Sequence, residues 1–146
     1  MSHDPALEAF CAFYKKLDKN CTEKLYRIYT QDVEFVDPLH RINGLPALEG
    51  YFRTLYENVT ACRFDFHDRL RQGDHAFVTW TMHLAHPRLA GGKEISVEGG
   101  SHLVFAGDGS GRARRHQDYF DAGALLYEHL PVIGRLIGAI KRRAGG

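Results

Sequence analysis

The sequence predicts an α+β fold in which a curved antiparallel sheet wraps around helices and leaves a cone-shaped pocket between the two layers. Three observations predict it. Apolar residues recur at helical spacing through the first part of the chain and at period two from Ala61 onward. Four extended stretches then follow one another, separated by clusters of turn-forming residues, as in a meander. These stretches are long, and one carries Gly99 and Gly100, which favour a bulge or strong bend. A long sheet that bends curls, and helices packed on one face close its mouth.

Each element has its own signal. Asp4 and Pro5 open a first helix as N-cap and first-turn proline. Leu7, Phe10, Phe13, Tyr14 and Leu17 continue it at helical spacing. "LDKNCTEK" breaks the chain, and Thr22 caps a short second helix holding Leu25, Ile28 and Tyr29. "VEFVDP" is extended, because Pro38 disfavours helical geometry at Asp37. "HRING" reads as a turn, and Pro46 begins a third helix through Leu48, Tyr51, Phe52 and Leu55. "ACRFDFHDRLR", "HAFVTWTMHLAHP", "KEISVEGGSHLVFAG" and "RARRHQDYF" are the four strands; "GD", "RLAGGK" and "GDGSG" connect them. Asp121 caps a terminal helix, interrupted near Pro131, that ends in "IKRRAGG".

Composition narrows the function classes. A chain of 146 residues argues for one domain, residues 1–146, with a core large enough to hold a modest pocket. A net charge of +1 gives no case for nucleic acid, and the basic runs "RARR" and "KRR" lack interleaved stacking aromatics. Cys11, Cys21 and Cys62 have no paired spacing and read as free thiols in a reducing compartment. With no secretory signal and no long apolar run, the expected location is cytoplasmic. Leu130, Ile133, Ile137 and Ile140 form a stripe on the tail, with Gly134 and Gly138 beside it. Membrane contact through that short basic helix is a weak signal. The nine histidines show no metal-ligand spacing: His83 and His86 are three apart in a strand and diverge. No metal and no cofactor are expected.

The order of elements, with "LYRIYTQDVEFVDP", "INGLPALEGYF", "GDHAFVTWTMHL", "SVEGGSHLVF" and "RHQDYFDAGALLYEHLPVIG", resembles the nuclear transport factor 2-like superfamily, especially its SnoaL-like branch. The resemblance implies a cystatin-like half-barrel. It implies a function within a wide range: ketosteroid isomerase, limonene epoxide hydrolase, polyketide cyclases, dehydratases and non-catalytic modules. Asp37 matches the general base of the isomerase, and Asp118 matches the first catalytic aspartate of the hydrolase's last strand. Phe35 stands where the hydrolase has a tyrosine. Thr81 and His83 stand where it has an arginine and a second aspartate, so its full relay does not carry over. The isomerase's oxyanion-hole aspartate falls at about Ser101, and its helical tyrosine at Phe13, with Tyr14 one residue away.

The chemistry centres on the last strand. His116 and Asp118 are two apart and share a face with Arg114 and Phe120. A carboxylate in an apolar cleft needs a partner; His116, His83 and Asp37 are candidates. The competing account pairs Asp118 with Arg114 or Arg115 at a strand edge. Asp37 either caps its turn or faces the pocket, and His40 either gates the mouth or is a solvated loop residue. The family match turns Thr81 and His83 inward and leaves Trp80 and Met82 on the outer sheet face as a homodimer interface; otherwise Trp80 is core. The catalytic candidates are therefore Asp118, Asp37 and His116. The expected pocket is made by Phe13, Tyr14, Phe35, Thr81, His83, Ser101 and Phe120. The expected function is to bind a small hydrophobic carbonyl, hydroxyl or epoxide compound and, as an enzyme, to convert it by cofactor-free acid–base chemistry. Isomerase, cyclase or dehydratase, and hydrolase stay open. The alternative is a non-catalytic ligand-binding or dimerising module.

Overall fold

In the computed structural model, residues 4–18 and 20–121 are described. Helix α1 spans Pro5–Lys16, and a 3₁₀ turn spans Thr22–Arg27. Strands β1 (Tyr29–Val36) and β2 (Arg41–Asn43) precede helix α2 (Leu45–Asn58). Strands β3 (Ala61–Gln72), β4 (His75–Ala85), β5 (Ile95–Phe105) and β6 (Ala113–Phe120) complete the fold, with a 3₁₀ turn at Ala90–Gly92. The six strands form one curved, unclosed sheet in the order β2-β1-β6-β5-β4-β3. The predicted α+β class and the four-strand meander are both present.

Three local expectations are corrected. The second helix is a 3₁₀ turn, and Tyr29 begins β1 instead of ending that helix. The expected turn "HRING" contains β2, whose Ile42 pairs with Phe35 in a short hairpin. Strand β5 runs in continuous register with β4 through Gly99 and Gly100, without a bulge between them. A Cβ at Gly99 would collide with the Trp80 ring and lie 2.7 Å from the Tyr119 carbonyl oxygen, so this glycine admits a large neighbour. The terminal helix and its apolar stripe lie outside the described residues.

Irregular pairing occurs elsewhere in the sheet. Phe66 pairs with Trp80 but Arg69 with Val78, which places one extra residue in β3. Val104 pairs with Arg115 but Phe105 with Ala113, so Arg114 is squeezed out of the β6 ladder. Strand β1 runs parallel to β6, with a shift between Tyr29 and Glu34.

The helices cover the concave face. Leu7, Phe10, Cys11 and Tyr14 of α1 are buried with Leu48, Phe52 and Tyr56 of α2 against Val78, Leu103 and Phe105 of the sheet. Full burial of each large apolar side chain is worth about 1.5–3 kcal/mol. Asp4 fixes α1 from both sides: its carboxylate accepts from the Leu7 amide at 2.9 Å and from the Arg71 guanidinium at 2.8 Å. Burial opposes ionisation of this carboxyl, but those contacts outweigh it and hold its pKa below the usual value. Arg71 also lies 4.4 Å over the Phe105 ring. Helix α1 is thereby anchored over β3 and β5, with Tyr14 pointing into the interior.

Candidate functional site

Strand alternation turns Phe35 of β1, Val78 and Trp80 of β4, Ser101 of β5 and His116 and Asp118 of β6 toward the helices. Between sheet and helices lies a cavity of about 280 Å³. Tyr14, Phe35, Phe52, Trp80 and Phe120 form much of its wall; Asp118 stands within it, and Asp37, His40 and Tyr51 lie along it.

Asp118 is held by two converging arms. On one, His116 Nε2 lies 2.5 Å from Asp118 Oδ1, Tyr29 Oη lies 2.5 Å from His116 Nδ1, and the Tyr14 and Tyr29 hydroxyls are hydrogen-bonded. On the other, Trp80 Nε1–H donates to Ser101 Oγ at 2.9 Å, and the Ser101 hydroxyl donates to Asp118 Oδ1 at 2.5 Å. With His116 neutral and Asp118 ionised, one proton arrangement satisfies every contact. Neutral His116 carries its proton on Nε2 and donates to Asp118, accepting at Nδ1 from Tyr29, which accepts from Tyr14. Both arms then direct hydrogen toward the same carboxylate oxygen, Oδ1. Asp118 Oδ2 makes no protein hydrogen bond among the described residues.

The surroundings reinforce that arrangement. The His116 side chain is 2% exposed and packs against the Phe10 and Phe35 rings at centroid distances of 5.4 and 4.8 Å. Burial raises the Tyr14 and Tyr29 pKa values well above 10, and the nearby Asp118 charge pushes them further the same way. Both hydroxyls therefore stay protonated and act as donors. Burial also pushes the Cys62 thiol, in the cavity wall, up to about 11, so it is protonated at neutral pH.

A second polar group sits toward the mouth. Asp37 Oδ1 accepts from the Leu39 and His40 amides at 2.8 and 2.7 Å and lies 3.3 Å from His40 Nδ1. Its Oδ2 accepts from the Tyr51 hydroxyl at 3.1 Å. Asp37 thus caps its turn and lines the cavity at once. Burial first, and then the Asp37 charge, raise the Tyr51 pKa.

The sequence-based assignments divide accordingly. Tyr14, Phe35, Asp37, Asp118 and Phe120 line the cavity, while Ser101 and His116 stand behind Asp118 as its partners. Three expected pocket residues are elsewhere. Phe13 lies on the far side of α1, in a groove with Lys16 and Lys24. Thr81 and His83 face away from the cavity: Thr81 bonds His67, and His83 bonds Asp65 and Ser96. Trp80 and Met82 line the cavity, which removes them from the outer face where a dimer interface was expected. The inversion on β4 follows from period two, since displacing an alignment by one residue exchanges the faces. The alternative ion pair also fails, because Arg115 bonds Glu34 and Gln117 and Arg114 is displaced from the ladder. Sequence reasoning missed Tyr29, Tyr51 and the role of Trp80. Tyr29 is missed because the sequence reading places it at the end of the second helix, whereas it begins β1 with the same parity as the buried Val33 and Phe35.

The profile of the SnoaL-like domain matches residues 10–116. The chain belongs to the SnoaL-like family. No curated protein matches it in sequence. Among solved structures, TerC co-crystallised with polyporic acid is 22% identical, with a TM-score of 0.70 over 84% of this chain and 95% of that one. A protein with a ketosteroid isomerase-like fold from Catenulispora acidiphila, in complex with trimethylamine, is 16% identical, with a TM-score of 0.72 over 89% and 96%. A protein assigned as a SnoaL-like polyketide cyclase from Jannaschia sp. CCS1 is 13% identical, with a TM-score of 0.71 over 86% and 94%. At these identities the likeness to the solved structures is one of fold. Within the SnoaL-like chain, no helix among the described residues is long and apolar enough to cross a membrane. No group of histidine, cysteine and carboxylate side chains among those residues is arranged to hold a metal.

Proposed function

We propose that this SnoaL-like chain binds a small, mostly apolar molecule bearing a carbonyl, hydroxyl or epoxide, and converts it by acid–base chemistry at Asp118. One observation carries this reading. A carboxylate in an apolar cavity has one oxygen engaged by two hydrogen-bond arms and the other without a protein partner among the described residues. Such a group is oriented before the ligand arrives. Its Oδ2 is the atom placed to take a proton from an acidic C–H or hydroxyl and to return it at a neighbouring atom. His116, Ser101, Tyr14, Tyr29 and Trp80 act through Asp118 and are positioning residues. Asp37, with all its contacts satisfied at the turn, orients the ligand with Tyr51 and is not the base. Proton abstraction and return would serve isomerisation, ring closure or dehydration.

A base in a cavity can be tested before any natural substrate is known. Nitrobenzisoxazole opens when a base takes its ring C–H proton; the N–O bond breaks and a cyanophenolate leaves. The native chain should accelerate this reaction, and Asp118→Asn should lower the acceleration by roughly 10²–10⁴-fold while the fold survives. Equal rates in the two proteins would remove Asp118 as a base. A non-catalytic ligand-binding module is the second reading. In its favour, the cavity holds an aromatic wall suited to retention, and it predicts binding with no Asp118-dependent rate.

A further inference from the structure

Outside the inner cavity runs an open groove lined by His40, Tyr51, Thr54, Leu55, Asn58, His86, Pro87 and Arg88. His40, Tyr51 and Leu55 line both spaces, so the groove and the cavity meet there. Their chemistry differs. The inner wall is aromatic and aliphatic and contains the Asp118 carboxylate. The groove contains no carboxylate among its lining residues; it contains a guanidinium, two imidazoles, two hydroxyls and an amide.

The Arg88 side chain is exposed, lines the groove and makes no ion pair or hydrogen bond among the described residues. His86 Nδ1 accepts from the Arg88 backbone amide at 3.0 Å, which leaves the proton of its neutral ring on Nε2 as a donor. Asp37, on the inner side of the junction, has its charge answered by two amides and the Tyr51 hydroxyl. We propose that Arg88 and His86 form an anion-accepting subsite at the mouth, and that the ligand of this site is an apolar molecule carrying a carboxylate. The inference rests on the cavity being a ligand site. Charge sets the orientation: Asp118 repels an anion from the interior, and Arg88 attracts it outside. The apolar end enters toward Asp118 and the carboxylate stays at the mouth.

The test uses a matched pair, phenylhexanoic acid and phenylhexanol, which differ only in the charged end. Trp80 is the single tryptophan of the chain and lies in the cavity wall, so its fluorescence reports occupancy. At low salt and neutral pH the acid should bind about five- to tenfold more tightly than the alcohol. Arg88→Ala should abolish that preference and leave the alcohol unchanged. Arg63→Ala, on the outer sheet face, should alter neither, and added salt should shrink the preference. Equal affinities, or a preference that survives Arg88→Ala, would overturn the subsite and leave the cavity reading standing. If neither compound perturbs Trp80, both fall.

Discussion

The sheet carries two histidine–aspartate pairs, one on each face. Inside, His116 Nε2 lies 2.5 Å from Asp118; outside, His83 Nε2 lies 2.9 Å from Asp65. The residue types are the same and the distances similar, but the surroundings are not. The inner pair has side chains 2% and 18% exposed, and the outer pair 17% and 48%. Outside, Asp65 also meets Arg63, and its pKa is lowered chiefly by the His83 hydrogen bond, with burial opposing and Arg63 assisting. Water and competing charges share that interaction. Inside, the low-dielectric wall leaves each hydrogen bond without a substitute, so every partner matters. A histidine next to an aspartate says little about function until its surroundings are known.

The difference can be broken first through rate. Asp118→Asn carries the largest expected effect, the 10²–10⁴-fold loss on the benzisoxazole probe, whereas Asp65→Asn should stay within about twofold of the native rate. A comparable loss in both would mean the two faces are not chemically distinct. Stability separates the pairs next. His116→Ala strands the Tyr29 hydroxyl and Asp118 in the interior and should cost about 3–5 kcal/mol by urea unfolding. His83→Ala should leave the melting temperature within about 2 °C of native.

Alkali should act on the inner face alone. A tyrosine whose folded pKa lies above its unfolded value keeps its proton in the native state after the unfolded chain has lost it. The stability contributed by Tyr14 and Tyr29 is therefore complete below pH 10 and falls as the pH rises above it. Equilibrium unfolding at pH 9 to 11 should show that decline, made shallower in Tyr14→Phe. A slope unchanged by this variant would mean that Tyr14 does not contribute to it.

The smallest contrast is between adjacent glycines. Gly99 faces inward against Trp80, while a Cβ at Gly100 meets only the Val78 carbonyl oxygen, at 3.3 Å. Gly99→Ala should cost about 1–3 kcal/mol and shift the Trp80 emission. Gly100→Ala should cost less and leave the emission where it was. Reversed emission shifts would contradict the assignment of faces on β5.

Much of the fold was legible in the sequence. The first-helix signals at Asp4 and Pro5, the change of period near Ala61 and the turn clusters between strands are local, and local sterics decide them before any tertiary contact forms. The shared face of His116 and Asp118 was legible for the same reason: two residues apart on a regular stretch of strand, they must point together. What only the tertiary structure decided is which face that was on β4, and who stands behind Asp118. Alternation defines two faces but not which one is buried, so Trp80 and His83 exchanged places once the sheet met its helices. Tyr14, Tyr29 and His116 come from α1, β1 and β6, and a parallel β1–β6 pairing with an irregular register brings them into line. Their sequence separations of 15 and 87 residues carry no periodic signal, because hydrogen bonds between distant elements depend on where the helix packs and not on the spacing of residues along the chain.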